Sequence, residues 1–123
     1  MRHLLPIVGV VLLGLAAPVL AADAGRGERL YAACKACHTL NQGGLQTAGP
    51  NLHGFFGRPA AQAAGYNFSP ALRNAGIVWD EASLDKYLAD PRTAVPGTRM
   101  IYPGMRKPED RADLIAYLKE ATK

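Results

Sequence analysis

The sequence has few residues that bind metal ions or form disulfides, with only two cysteines and three histidines among 123 residues. A structural zinc site takes about four Cys or His ligands, and beyond the adjacent Cys34, Cys37 and His38 only His53 remains in the mature chain. A disulfide between Cys34 and Cys37 would close a very small loop and stabilise little. These two cysteines therefore need another explanation.

The chain also lacks a large excess of charge of one sign. Its formal net charge is +4, and it has no dense basic stripe of the kind that nucleic-acid-binding proteins carry. It has no pattern of paired alternating strands, no internal repeat and no low-complexity segment. A nucleic-acid partner is therefore not expected, and the length predicts one folded domain.

Charge is absent from most of the N-terminal segment. After a short basic start, no charged residue occurs until Asp23, and an apolar run spans Ile7–Ala17. Small residues follow the run, as they do before the cleavage site of a secretory signal peptide. We expect residues 1–21 to be a cleaved signal peptide, with cleavage after Ala22 as the alternative. The folded domain is then 22–123, in the periplasm of a bacterium.

An uncleaved membrane anchor is the competing interpretation, because Leu4–Ala22 approaches the length of a spanning helix. Its prolines and glycines weaken it as a continuous helix, although lipid tolerates such residues. Helical sequence resumes near Gly27, so a tether from Asp23 to Arg26 would reach only about 13 Å. Cleavage is favoured, and it leaves a chain of net charge +3 without a stable membrane insertion.

Apolar spacing predicts three main helices. The first runs from Gly27 to Cys34, the second starts with Asp80 as N-cap and ends before Pro91, and the third begins at Pro108. A short helical turn is expected at Pro70–Asn74. Three short helices bury little apolar surface for a domain of about 100 residues. The long Gly/Pro-rich connection from Thr39 to Ser69 also needs another group to pack against. A bulky apolar group should fill the centre.

The segment Cys34-Lys35-Ala36-Cys37-His38 matches the CxxCH pattern of covalent haem attachment. Two intervening residues bring the two sulfurs to adjacent vinyl positions on one porphyrin edge, and the following imidazole then points at the iron. A thioredoxin-like redox pair would need a βαβ context, which is absent. The motif therefore predicts one haem c, with His38 as an axial ligand.

The sixth iron ligand is left open by spacing alone. Met100 follows the rigid turn Pro96-Gly97 and Met105 follows Gly104, so that either thioether suits the role, with Met100 preferred. His53 is interpreted as a surface histidine. An open sixth position would instead suit an enzyme or a ligand sensor.

Beyond the motif, the sequence resembles the class I cytochromes c, in the short-loop branch that bacteria and mitochondria share. The matching segments occur in the family's order along nearly the whole mature chain: Cys34–Thr39, Gly49–Gly54, Phe56–Arg58, Gly76–Trp79, Tyr87–Leu88, Pro96–Tyr102 and Asp113–Thr122. The resemblance implies an all-α fold of three main helices and Gly/Pro-rich loops around one covalent haem, with the first and last helices crossing.

The resemblance also implies roles for individual residues. Met100 would be the sixth ligand, and the Pro50 carbonyl would accept the N–H of the His38 imidazole. The remaining matches are Trp79 and Arg58 at the buried propionate, Thr98 at the second propionate and Tyr87 beside the methionine sulfur. The implied function is that of a one-electron carrier, not an enzyme.

Three positions depart from the family pattern. Phe68 replaces a tyrosine that donates to a propionate, Leu72 replaces an asparagine near an internal water network, and Ala60 replaces a commonly polar residue. Ionisation of the buried propionate should therefore depend more on Arg58 and Trp79. The first helix is one residue shorter than expected before Cys34, so that either Gly27 or Gly25 could form its contact with the last helix.

The expected partners are proteins: a cytochrome bc-type complex, a terminal oxidase, a photosynthetic reaction centre or a periplasmic dehydrogenase. A monomer is expected, docking through the exposed haem edge and a ring of basic residues: Lys35, Arg92, Arg99, Arg106 and Lys107. The alternative is a peroxidase-like enzyme or a ligand sensor with an open or displaceable sixth position.

Overall fold

The computed structural model describes residues 8–15 and 20–123. Within these ranges the chain forms five α-helices and no strand, apart from an isolated bridge between Pro59 and Val78. The helices are α1 (Ala24–Leu30), α2 (Pro70–Arg73), α3 (Glu81–Ala89), α4 (Pro91–Ala94) and α5 (Pro108–Ala121). The basic start of the expected signal peptide lies outside the described residues, as does part of its apolar run.

The first helix begins earlier than the apolar spacing predicted. Asp23 is its N-cap, and the Asp23 side chain accepts a hydrogen bond from the backbone N–H of Arg26 at 3.0 Å. The helix is α-helical only to Leu30 and continues as a 3₁₀ turn over Tyr31–Ala33. The predicted start at Gly27 was therefore wrong by three residues, because the acidic cap was overlooked.

The predicted second and third helices are confirmed as α3 and α5. Asp80 caps α3 in a capping box with Ser83, in which each side chain accepts a hydrogen bond from the other residue's backbone N–H. The predicted turn at Pro70–Asn74 is confirmed as α2. A further short helix, α4, was missed: Asp90 ends α3 and immediately caps α4, with Pro91 in its first turn.

The crossing of α1 and α5 depends on one glycine. A Cβ on Gly27 would overlap the carbonyl oxygen of Asp113 and lie 2.8 Å from the Cβ of Tyr117, so no larger residue fits. A Cβ on Gly25 would meet only the Asp23 carboxylate, at 3.3 Å. The contact glycine is therefore Gly27. Around this crossing lies the buried core, formed by Tyr31, Leu84, Leu88, Leu114, Ile115 and Leu118.

The long connection from 39 to 69 is held to the helices by scattered backbone hydrogen bonds. Gly49 N–H donates to the Cys37 carbonyl at 3.0 Å, and Leu52 N–H donates to Thr39 at 2.8 Å. Gly54 N–H donates to Thr122, just after α5, at 2.6 Å. The connection is thus bonded to the segments that follow the first and last helices and, through Leu52 and Thr39, also to itself. None of the helices in the described ranges combines the length and apolar character that crossing a bilayer requires.

Candidate functional site

A cavity of about 410 Å³ lies at the centre of the described part of the chain. Its walls come from the turn after α1, the 48–69 connection, α3 and the segment before α5. All nine residues that the sequence singled out line it: Cys34, Cys37, His38, Pro50, Arg58, Trp79, Tyr87, Thr98 and Met100. The volume falls within the range of ligand pockets in proteins.

His38 is oriented by the backbone beside it. Its Nδ1 lies 2.8 Å from the carbonyl oxygen of Pro50, and because a carbonyl has no proton to give, Nδ1 carries the N–H and donates. The other nitrogen, Nε2, then keeps a free lone pair in the neutral ring, as a metal ligand requires. Burial lowers the pKa of His38, although the hydrogen bond to Pro50 partly opposes this. A neutral imidazole is therefore favoured.

The backbone packs closely behind this imidazole. A Cβ on Gly49 would lie 2.6 Å from the Cε1 and 2.9 Å from the Nδ1 of His38, so a side chain there would displace the ring. Tyr31 also contributes, since its hydroxyl donates to the carbonyl oxygen of His38 at 2.8 Å. Burial raises the pKa of Tyr31 to about 12, which keeps it a donor. Sequence reasoning missed this role of Tyr31, because its spacing indicated only the apolar face of a helix.

Both cysteines are free thiols, and no disulfide joins them. Cys34 is half-buried and Cys37 is exposed. Burial, followed by the neighbouring Cys37, raises the pKa of Cys34. In the described part of the chain no three His, Cys, Asp or Glu side chains are grouped to hold a metal ion. The disulfide and zinc alternatives therefore gain no support.

The two candidate methionines occupy different surroundings. Met100 lines the cavity together with His38. Met105 instead packs against the buried core cluster, and its backbone N–H donates to the carbonyl of Leu88 at 2.8 Å. His53 is half-buried and lines the cavity, so its interpretation as a surface histidine was wrong. Of the two thioethers, only that of Met100 belongs to the cavity wall.

The segment that carries Met100 is fixed to α3 by a pair of hydroxyls. The Tyr87 hydroxyl and the Thr98 Oγ1 lie 2.6 Å apart and share a hydrogen bond. The same Thr98 oxygen accepts from the backbone N–H of Met100 at 3.4 Å. Tyr87 is buried, and burial raises its pKa, with the Thr98 contact opposing. Thr98 thus links Tyr87 to the backbone of Met100, while the positions of Tyr87 beside the methionine sulfur and of Thr98 at a propionate stay predictions.

Arg58 and Trp79 are brought together by their backbones. Trp79 N–H donates to the Arg58 carbonyl at 2.9 Å, and Gly57 N–H donates to the Trp79 carbonyl at 2.7 Å. The Trp79 ring packs against Tyr87, with ring centroids 5.1 Å apart. Both side chains thereby reach the same wall of the cavity. They supply a guanidinium and an indole N–H, the donors that a carboxylate needs in an apolar site.

The positions that depart from the family pattern lie in or near this wall. Phe68 is buried and lines the cavity, and Leu72 is half-buried and also lines it. Ala60 is buried but is not one of the lining residues. Tyr66, which sequence reasoning missed, lies edge-on to Phe68 with centroids 4.8 Å apart, and its hydroxyl donates to the Ala48 carbonyl at 2.7 Å. This wall is therefore mostly apolar.

The cavity and its lining fit a haem. The walls are predominantly apolar, two free thiols stand at its edge, and an imidazole with an available nitrogen and a thioether both reach it. Fold and site together define a small all-helical protein that binds one covalently attached haem.

Comparison with known proteins agrees with this class. The family model described as cytochrome c matches residues 24–122. The chain is 45% identical over 103 residues to cytochrome c from Nigella damascena, an alignment that covers 83% of this chain and 93% of that protein. It is 48% identical over 101 residues to cytochrome c from Theileria parva, covering 81% and 87%. Cytochrome cH from Methylobacterium extorquens has a similar structure, with a TM-score of 0.76, 46% identity and coverage of 80% of this chain and 99% of that one.

This chain belongs to the cytochrome c family, with the class I fold that the sequence indicated. Its cofactor is accordingly one covalent haem c, for which Cys34 and Cys37 are the attachment cysteines. The family is one of electron carriers.

Proposed function

We propose that this protein is a periplasmic one-electron carrier, not an enzyme, whose haem iron is held by His38 and Met100. The observation that carries the proposal is the different placement of the two methionines: Met100 lines the cavity with His38, and Met105 packs against the core. A thioether sulfur and an imidazole nitrogen are a ligand pair that suits reversible electron transfer.

The bound haem supplies an iron that alternates between the ferrous and ferric states. The Met100 thioether, a soft ligand, favours the ferrous state, and the apolar walls penalise the extra positive charge of the ferric state. The Pro50 carbonyl holds His38 in one orientation and tautomer. Because the chain keeps both ligands fixed, electron transfer needs little rearrangement of the protein.

The remaining polar groups of the cavity have positioning roles in this proposal. Arg58 and Trp79 would donate to the buried propionate, and Thr98 to the second propionate. Tyr87 shares its hydrogen bond with Thr98 and keeps that hydroxyl beside Met100. Burying a carboxylate is costly unless such donors surround it.

Docking to protein partners would use the surface around Cys37 and the Met100 segment. The five basic residues proposed for this surface are all exposed: Lys35, Arg92, Arg99, Arg106 and Lys107. Their charge would steer an acidic partner, such as a cytochrome bc-type complex, a terminal oxidase, a reaction centre or a periplasmic dehydrogenase. The rate of electron transfer with an acidic partner should fall as ionic strength rises, and a constant rate would rule this surface out.

Export as a soluble monomer is part of the proposal. A cleaved signal peptide at residues 1–21 would leave Asp23, the cap of α1, close to the mature N-terminus. Mass spectrometry of the purified protein would distinguish cleavage after Ala21 from cleavage after Ala22. A retained N-terminal segment would contradict the assignment.

The ligand assignment is tested by the absorption spectrum of the ferric protein. We expect a methionine–iron charge-transfer band that disappears in Met100→Ala and persists in Met105→Ala. The alternative function, a peroxidase-like enzyme or a ligand sensor, predicts no such band and rapid reaction with cyanide or peroxide at neutral pH. The band combined with slow cyanide binding would therefore favour the carrier.

A further inference from the structure

Arg111 on α5 does not line the cavity, yet its side chain is only 11% exposed. Its Nε donates to Asp85 Oδ1 at 2.6 Å. Its Nη1 donates to two backbone carbonyls, those of Met105 at 2.9 Å and Arg106 at 3.0 Å. One guanidinium therefore joins α3, α5 and the connection that leads from Met100 to α5. Charge-assisted bonds of this kind are stronger than neutral ones.

That connection has further anchors at the same end. Met105 N–H donates to the Leu88 carbonyl at 2.8 Å. Gly104 has a φ of 108° and lies so close to α3 that a Cβ there would overlap the carbonyl oxygen of Ala89. Ile101, the residue next to Met100, packs little against the rest of the chain, since it is 92% exposed to the cavity and the solvent. Local packing at Ile101 therefore does little to hold Met100 in place.

Met100 thus lies between two attachment points. On one side Thr98 is bonded to Tyr87 of α3. On the other side the carbonyls of Met105 and Arg106 are bonded to Arg111. Four residues separate Met100 from the second attachment point. Loosening that attachment would therefore give the Met100 thioether room to leave the iron.

We propose that Arg111 is a positioning residue for Met100: it fixes the far end of the segment, and Asp85 holds the guanidinium in place. The proposal rests on Met100 being the sixth ligand. Its consequence is that the form with Met100 detached becomes more populated when Arg111 is lost. An external ligand binds only that form, so its apparent affinity measures the population.

The experiment is imidazole binding to the ferric holoprotein, followed through loss of the methionine–iron band. Arg111→Met keeps most of the side-chain volume and removes the donors. Since hydrogen bonds to charged groups contribute strongly, we expect apparent imidazole affinity to rise about tenfold. Arg111→Lys keeps the charge without the planar fork and should recover only part of the loss. Asp85→Asn should have an intermediate effect.

Lys119→Met is the matched control. Lys119 Nζ donates to Glu81 Oε1 at 2.5 Å and also joins α5 to α3, and in the described part of the chain no side-chain hydrogen bond or ion pair ties either residue to the connection after Met100. We expect this variant to bind imidazole like the wild type. Unfolding by denaturant, measured in parallel, shows whether a variant is merely less stable.

The outcomes separate the proposals. If the wild type lacks the methionine–iron band, the ligand assignment fails and this inference fails with it. If the band is present and Arg111→Met binds imidazole no better than Lys119→Met, only this inference fails. Should Arg111→Met not yield folded holoprotein, Asp85→Asn decides: a raised imidazole affinity supports the role of Arg111, and an unchanged one overturns it.

Discussion

Residues of the cavity wall differ in how far their proposed roles depend on the backbone around them. His38 has a usable nitrogen only because Pro50 and Gly49 place the backbone against its ring. Arg58, by contrast, would act through its own charge in the proposed site. It reaches a wall in which Phe68 and Leu72 offer no hydrogen-bond donor. The consequences of this donor-poor wall can be measured at two positions.

In Arg58→Ala the pKa of the buried haem propionate should rise by about one unit or more, because a nearby cation lowers the pKa of a carboxylate by that order. The redox potential should therefore begin to depend on pH at a correspondingly higher pH. Redox titration over a pH series measures the shift. Phe68→Tyr supplies the matched background, since the added hydroxyl would be a further donor to the same propionate. The idea fails if Arg58→Ala shifts the titration equally in both backgrounds.

Leu72→Asn should lower the free energy of unfolding by about 1–2 kcal/mol, because it places an amide in an apolar wall without a built partner. Leu72 is half-buried and lines the cavity. Leu72→Met, which conserves volume, is the control and should cost less. Denaturant unfolding of the two holoproteins measures both, and a higher midpoint for Leu72→Asn would contradict this account.

Between elements, the contact of α1 with α5 combines a steric and an electrostatic part. Gly27 permits the close approach, while the carboxylate of Asp113 accepts from the Asp23 N–H at 2.7 Å and from Arg26 Nη1 at 2.9 Å. The two parts can be disturbed separately.

Gly27→Ala should destabilise the protein by about 1–3 kcal/mol, the usual cost of overpacking, because the new methyl group overlaps the backbone of Asp113. Gly25→Ala is the matched control in the same helix. Its methyl meets only a side chain, and alanine is the better helix former. Thermal unfolding should therefore separate the two variants clearly, and equal midpoints would show that the helices adjust freely.

Acid should weaken the same contact. The Asp23 N–H and then the Arg26 guanidinium lower the pKa of Asp113. A carboxyl group whose pKa is lowered by folding stabilises the protein above its unfolded pKa of about 3.9, and this contribution is lost as pH falls through the folded value. Asp113→Asn should therefore reduce stability at pH 7 and flatten its decline below about pH 4. Glu109→Gln, an exposed change on α5, should leave that decline intact in unfolding curves measured across pH.

The molecule as a whole depends on its cofactor. Without the haem, the largely apolar lining of the cavity of about 410 Å³ would be left facing water, which removes much of the apolar burial that stabilises the fold.

Replacing both attachment cysteines, with Cys34→Ser and Cys37→Ser together, should therefore abolish cooperative unfolding, because the chain loses its central apolar group. Far-UV circular dichroism during heating measures this. Met100→Ala keeps the covalent haem and should still unfold cooperatively. A sharp transition with native helix content in the double serine variant would contradict the prediction.

The sequence by itself determined the cofactor and most of the helical framework. The CxxCH spacing, the Asp80 cap, the proline that begins α5 and the apolar stripes of α3 and α5 are local patterns, which can be recognised in a single sequence. The start of α1 and the whole of α4 were missed, because each depends on an aspartate cap that apolar periodicity does not register.

Only the tertiary structure shows the different surroundings of residues that are chemically alike. Gly27 and Gly25 lie in one helix, and Met100 and Met105 lie in one segment. Spacing in the sequence therefore gives little reason to prefer one member of either pair. The members of each pair differ in what other parts of the chain place beside them: the Asp113 carbonyl beside Gly27, and the core beside Met105. Such contacts join residues far apart in sequence, and they exist only once the chain has folded.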